Sequence, residues 1–484
     1  MLSISIAPSN SVLSNYGLQF GRPLLSLATP SAGRVAGLLK KKLYLCSMKH
    51  FYFLLLFSLL GFALQGQEIR LGTALPVDTV VVESDPLLNP CRVQRELLLL
   101  QDAVDDWRTE LSEDNEQSEA WRRDHGRLHT WRIGVDATTF LRDAAFSLPF
   151  TRGYTATGFF LSPYAKHLLG SDAQLTLGVH LAGAAGYDGI RAWQPLVRLE
   201  YEPFEHFRLV MGSLYGTLAH GLFEPMLGRE RYIYAHQEEG VQILTDYRLG
   251  SHQRWRMDTW LHWEDLLEPW QPKQERFTLG SSQELTLYTA APYRSNVGGV
   301  EVSVPFSFLG CHRGGQFSSL DTCIQSLFNE SVGLRVNLPL GQRAAVAVDA
   351  PFFFYQDISP TKCMAYNSGW ALWPQLSLDW QFAREGRNRQ NFWRGAWRML
   401  LQAGYWQGHQ FIAPRGSYLF QSVSWHRPDY AEPERRMVTA KLAFENRYTS
   451  RLALGLDTEY YYDLAHRAMD FAFGLYIRYG LMPR

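Results

Sequence analysis

From about residue 128 to the C-terminus, apolar and polar side chains alternate with a period of two. Leu452, Leu454, Leu456, Thr458, Tyr460 and Tyr462 interleave with Ala453, Gly455, Asp457, Glu459, Tyr461 and Asp463. The last segment repeats the pattern, with Met469, Phe471, Phe473, Leu475, Ile477 and Tyr479 against Asp470, Ala472, Gly474, Tyr476 and Arg478. A strand turns successive side chains to opposite sides, so each segment is a strand with one greasy face. Leu175 to Leu181, Val197 to Tyr201, Val300 to Phe306, Val332 to Leu338 and Leu376 to Phe382 supply further greasy faces. A soluble sandwich alternates in the same way. Here, however, the opposite faces carry small residues and charges of both signs on strand after strand. That pattern predicts an all-β transmembrane barrel, antiparallel and up-and-down, with the greasy face toward lipid and the polar face toward a wet lumen.

Sixteen strands are expected, from 130–142 to 467–481. They include 297–308, 331–340, 343–351, 372–383 and 436–447. Short links fall after even-numbered strands, near Glu205, Ser251, Gly341 and Ser450. Long ones, around Phe223, Trp270, Gly315, Tyr366 and Pro428, follow odd-numbered strands. Short periplasmic turns and long outer loops are the layout of an outer-membrane barrel, and about 16 strands leave room for an aqueous channel. The link at 384–396 is long for a turn and that at 464–466 short for an outer loop, so 14 or 18 strands are the alternatives. Trp255, Trp263, Trp373, Trp397, Tyr448 and Tyr479 lie near strand ends and are expected in the interfacial aromatic girdles.

The N-terminal part differs. The first 66 residues hold six basic residues and no acidic one. Met48-Lys49-His50 opens an apolar stretch from Phe51 to Leu64 followed by Gln65-Gly66-Gln67, the form of a secretory signal peptide over 48–66. Residues 1–47 are then expected to be a mis-assigned upstream extension, with an organelle transit peptide as the other reading. From Gln67 to Arg127 there are 14 acidic and 7 basic residues. Within this acidic periplasmic segment, Asn89 and Pro90 suit a helix start, and Val93, Leu97, Leu100, Val104, Trp107 and Leu111 form its seam. The barrel occupies 128–484. With 47 basic and 47 acidic residues overall, the chain lacks the positive stripe of a nucleic-acid binder.

The signal segment, the even-stranded alternating barrel and the aromatic last strand resemble a Gram-negative outer-membrane porin. The Leu64-Gln-Gly-Gln67 start, Arg208-Leu-Val-Met-Gly212 and Glu239-Gly-Val-Gln242 are similar to porin-like proteins of the Bacteroidota. The last residue, Arg484, departs from the terminal Phe common in such barrels. The resemblance implies location in the bacterial outer membrane and contact with its lipid. It also implies assembly by the barrel-assembly machinery, passive diffusion of small polar or anionic solutes, and a homo-oligomer as one arrangement. No cofactor is implied.

With strand phases set by the greasy faces, Arg198, Glu200, Arg254, Arg256, Asp258, His262, Arg335, Arg398, Lys441, Glu445 and Arg447 point inward as candidate pore-lining residues. Arg offers a rigid fork for anions. The other reading is that these charges pair with one another along the wall. The loop 216–238, with Glu224, Arg229 and Arg231, either folds in as a constriction or stays exposed. Cys311 and Cys323 share one expected outer loop and are expected to pair, with Cys363 as rival partner. No Cys/His spacing makes a metal site. No catalytic motif stands out, so a non-enzymatic channel is expected. A non-conducting surface-assembly or attachment barrel is one alternative. A barrel lipase or protease, with Ser, His and Asp assembled from separate strands, is the other.

Overall fold

The computed structural model describes residues 131–481, except 171, 188, 205, 235–236, 267–273, 291–298, 315–323, 342, 382–395 and 450–451. The signal segment, the expected helix after Asn89 and Cys323 lie outside the described residues.

The strands are β1 (Trp131–Ala145), β2 (Tyr154–Leu168), β3 (Ala173–Ala184), β4 (Ile190–Phe204), β5 (Phe207–Ser213) and β6 (Glu239–Arg248). Next come β7 (Arg254–Asp265), β8 (Arg276–Thr289), β9 (Glu301–Arg313), β10 (Gln325–Pro339), β11 (Ala344–Asp357) and β12 (Ser368–Leu372). The last are β13 (Gln375–Gln381), β14 (Ala396–His409), β15 (Glu434–Thr449), β16 (Leu452–Asp463) and β17 (Ala468–Leu481). Neighbours pair antiparallel, and β1 pairs with β17 to close the ring. β12 and β13 both lie between β11 and β14, so they form one stave and the barrel has sixteen. The break falls at Pro374, which has no N–H to give the ladder. The neighbouring amides compensate: Trp373 donates to the Pro351 carbonyl (3.1 Å) and Tyr405 to that of Pro374 (3.0 Å).

The outer wall is apolar, with Leu334, Leu376, Leu401, Val438 and Ile477 all exposed. Without water in hydrocarbon, only closure satisfies every strand edge, which is why the ring closes. The protein is an outer-membrane β-barrel. Connections 214–238 and 410–433 leave the same end, the outer one in such barrels.

Both long connections fold into the lumen, and this changes the expected interior. Phe223 and Met226 from the first, and Phe411, Ile412, Leu419 and Phe420 from the second, pack against inward Trp260, Leu309, Phe353, Trp406 and Met437. At about 1.5–3 kcal/mol for each large side chain buried, such a core holds both loops in place. The upper lumen is therefore an apolar core rather than a wet space. Trp373 belongs to it. The side chain is buried, donating from Nε1 to Thr439 Oγ1 (3.1 Å), because its register places it on the inner face and not in the girdle.

The expected Cys311–Cys323 bridge is also corrected. Cys311 is a free thiol. It sits inside β9, opposite Thr278 and Leu327, on the inner wall rather than in the outer loop. Cys363 is disulfide-bonded, and Cys311 is not its partner. Peptide mapping without reductant should find Cys311 as a thiol and Cys363 in a disulfide; a linked Cys311–Cys323 peptide would overturn this.

Candidate active site

Among the described side chains, the expected lumen charges have partners along the wall. Arg198 donates to the carbonyls of Ser213 (2.7 Å) and Leu214 (2.9 Å), and Glu200 accepts from the Tyr215 hydroxyl (2.9 Å). Arg254 pairs with Asp246, Arg256 with Glu284 (3.3 Å) and Arg335 with Asp349 (3.8 Å). Arg398 meets Asp379 (2.8 Å) and Glu445 (3.5 Å), and Lys441 meets Glu459 (3.8 Å). Arg447 lies on β15 opposite Ala396 and Ala453. In the inserted loop, Glu224 accepts from the Tyr461 hydroxyl (2.8 Å) and Arg229 pairs with Asp457 and Glu459. Arg231 opens the helical turn Arg231–Tyr234; burial and the Arg415 charge hold its pKa below the ordinary value.

Asp258 and His262 surround a residue that the sequence reading leaves out. His220, on the 3-10 turn Thr217–His220, lies 2.9 Å from Asp258 through Nδ1 and 3.1 Å from Glu238 through Nε2. Its ring stacks on Trp260 at 3.5 Å, and His262 Nδ1 is 3.9 Å from Glu238. Carboxylates only accept, so both nitrogens carry protons. Against the cost of burial, Asp258 and Glu238 push His220 up to about 9, and His220 in turn pulls Glu238 down to about 2. An imidazolium held at both nitrogens has no lone pair for catalysis, so this group pins the loop.

The pin makes stability depend on pH. The raised pKa of His220 stabilises fully below its unfolded value near 6.5 and is lost as pH rises through about 9. The lowered pKa of Glu238 stabilises above about 4.5 and is lost as pH falls toward 2. These are two ends of one ion pair, worth roughly 3 kcal/mol. Thermal unfolding at pH 6 and pH 9.5 should show the wild type losing more Tm than His220→Gln; equal losses would remove the pin.

Serine hydroxyls meet histidine rings on the lumen wall, in a loop and on the outer wall. Ser162 Oγ lies 2.9 Å from His180 Nδ1 on the inner face of β2 and β3, in the lower half of the lumen. Ser424 Oγ lies 3.4 Å from His426, but it already donates to the Pro149 carbonyl (2.5 Å) and accepts from the Arg427 amide (3.0 Å). The third contact differs. Leu309 and Leu327 point into the core, so the alternation turns His312 on β9 and Ser326 on β10 outward. His312 Nδ1 is 2.9 Å from Ser326 Oγ, and its Nε2 is 2.8 Å from the Gly314 carbonyl oxygen. A carbonyl only accepts, so Nε2 carries the proton and Nδ1 presents a lone pair to the serine hydroxyl. The Glu275 carboxylate is 4.0 Å from Nε2. The Ser326 amide donates to Ser359 Oγ (2.9 Å), and Ile358 donates to the Ser326 carbonyl (3.0 Å), fixing the serine backbone.

This pair stands in an aromatic row. Trp263, Phe277, His312 and Ser326 are register partners across β7 to β10. Phe277 stacks on Trp263 (5.3 Å) and lies 4.9 Å from the His312 ring. At the outer end of a membrane barrel, such a row lies between headgroups and hydrocarbon. The sequence reading misses both residues because it ends one strand at 308 and starts the next at 331. Among the described residues, no group of three or more His, Cys, Asp or Glu side chains is placed to hold a metal ion.

Residues 123–482 match the model of a family described as lipid A 3'-O-deacylase-type. The chain belongs to this family. No curated protein matches it. Among solved structures, a loop L8 deletion mutant of OmpT, an outer membrane protein of Vibrio cholerae, is 10% identical. That alignment covers 73% of this chain and 100% of that one, with a TM-score of 0.43. OprB of Pseudomonas putida is 9% identical over 75% and 97% of the two chains, with a TM-score of 0.43. An anion-selective porin of Comamonas acidovorans is 8% identical over 73% and 99%, with a TM-score of 0.40. Likenesses this weak carry no weight for function. Membership of the lipid A 3'-O-deacylase-type family overturns two expectations, that of a passive diffusion channel and that of a non-enzyme. The barrel hydrolase, an alternative in the sequence reading, is the reading that the family favours.

Proposed function

We propose that the protein is an outer-membrane lipid A deacylase in which Ser326 is the nucleophile and His312 the general base. The observation that carries this reading is the Ser326–His312 pair, with its tautomer fixed by Gly314, in the outer aromatic row. An acyl ester of an outer-leaflet glycolipid lies at that depth, with its sugar in the headgroup layer and its chain running down the apolar wall.

The chemistry follows from the geometry. Ser326 Oγ attacks the acyl carbonyl carbon while its proton passes to His312 Nδ1, and the Glu275 carboxylate stabilises the imidazolium. The bond from carbonyl carbon to sugar oxygen then breaks, and Nδ1 returns the proton to that oxygen. An ester on Ser326 remains. Water attacks it with His312 again as base, and the products are a free fatty acid and the regenerated hydroxyl.

The test is incubation of the purified, detergent-folded full-length protein with lipid A, followed by mass spectrometry. Loss of one acyl chain from the 3'-position, with stoichiometric free fatty acid, is expected. Intact lipid A after prolonged incubation with folded protein would sink the reading.

A further inference from the structure

On the opposite side of the ring from Ser326, the loop after β1 meets the long loop after β14 around a cavity of about 310 Å³. Its lining includes Phe146, Leu148, Arg152, Gly153, His426 and Arg427, and no carboxylate. Arg152 and Arg427 are both exposed, and among the described residues neither has an ion-pair partner. That sets them apart from Arg142, Arg229, Arg254 and Arg398, each of which is committed to acidic partners inside the barrel. The buried carboxylate of Asp470 is engaged by Ser147 of the lining, its Oδ1 accepting from the Ser147 amide (2.6 Å) and hydroxyl (2.9 Å). Asp429 is exposed and outside the lining. Burial and the charges of Arg152 and Arg427 hold the His426 imidazole below its ordinary pKa, so positive potential converges on the cavity.

Two unpaired guanidinium forks facing one space match the oxygens of a phosphate. Phe146 and Leu148 add an apolar surface suited to the face of a sugar ring, and the volume is near the lower limit for a small-ligand site. We propose that this cavity binds a phosphorylated sugar, with Arg152 and Arg427 holding the phosphate. The proposal does not rest on the chemistry at Ser326.

The test is calorimetric titration of the detergent-folded full-length protein with glucose 1-phosphate and, separately, with glucose. Binding of the phosphate ester but not of glucose is expected, with at least tenfold weakening in Arg152→Ala/Arg427→Ala. Arg152→Lys/Arg427→Lys, which keeps the charge and loses the fork, should fall between. Heat-modifiable gel mobility confirms that each variant is folded. Competition identifies the source: displacement by lipid A in mixed micelles makes the natural ligand a lipid headgroup, and displacement by inorganic phosphate alone makes it a soluble ester. Absence of glucose 1-phosphate binding, or equal binding by the folded alanine variant, would overturn the proposal.

Discussion

Replacing Ser326 with alanine is expected to reduce acyl release from lipid A by about 10³-fold or more while leaving the barrel folded. The size follows from the role: without Oγ there is no covalent intermediate, and only positioning remains. His312→Ala should cost about 10²–10⁴-fold, because the hydroxyl then loses its proton acceptor. The two losses should not add, since serine and base act as one unit. Ser162→Ala separates this site from the other wall pair, because Ser162 faces the lower lumen against His180. Activity should survive that change. If Ser162→Ala abolishes turnover and Ser326→Ala does not, the chemistry lies inside the barrel and the outer pair is structural. A fluorophosphonate probe gives an independent readout: it should label Ser326 in the wild type and lose that label in His312→Ala.

The fold was legible because alternation is a strong signal wherever lipid lies on one side. β15 spans Glu434–Thr449 where 436–447 is expected, and β17 spans Ala468–Leu481 where 467–481 is expected. The signal fades near the headgroup layer, where the outer face turns polar while the ladder continues. That is why β9 runs on to Arg313 and β10 begins at Gln325, beyond the expected limits at 308 and 331. The residues hidden by this fading include Cys311, His312 and Ser326. A function placed at the membrane interface thus erases the pattern that would locate it.

The interior was legible only in part, for a related reason. Phe352, Phe353, Phe354 and Tyr355 are apolar on both faces of β11, and a run greasy on both sides belongs to a strand buried on both sides. Such a run already signals a packed lumen. What fills it comes from 214–238 and 410–433, segments with no periodicity to read. Pairing of the wall charges was an open alternative. Its geometry depends on which staves adjoin, and a sequence gives that only after closure is known.

Arg229→Met tests whether the inserted loop is held by charge as well as by packing, and it is expected to destabilise the barrel by about 3–5 kcal/mol. Arg229 is 3% exposed and joins the loop to Asp457 and Glu459, which are 0% and 1% exposed. Arg142 reaches the same carboxylates at 3.9 Å and 2.6 Å, and Lys441 reaches Glu459 at 3.8 Å. Removing one cation leaves the cluster short of positive charge at a site buried from solvent. The cost therefore reflects stranded carboxylate charge more than one lost contact. Adding Asp457→Asn to Arg229→Met should then recover part of the loss, because it removes a carboxylate charge left with only Arg142, at 3.9 Å. Unfolding midpoints in denaturant supply the energies. Protease cleavage near Tyr232 reports on the loop, since a loop released from β16 loses its burial. The His220 pin to Asp258 fastens the same loop to β7 on another part of the wall. Arg229→Met and His220→Gln should consequently combine to more than either alone in exposing the loop. If Arg229→Met leaves both the midpoint and the protease resistance unchanged, the apolar core around Phe223 and Met226 holds the loop by itself.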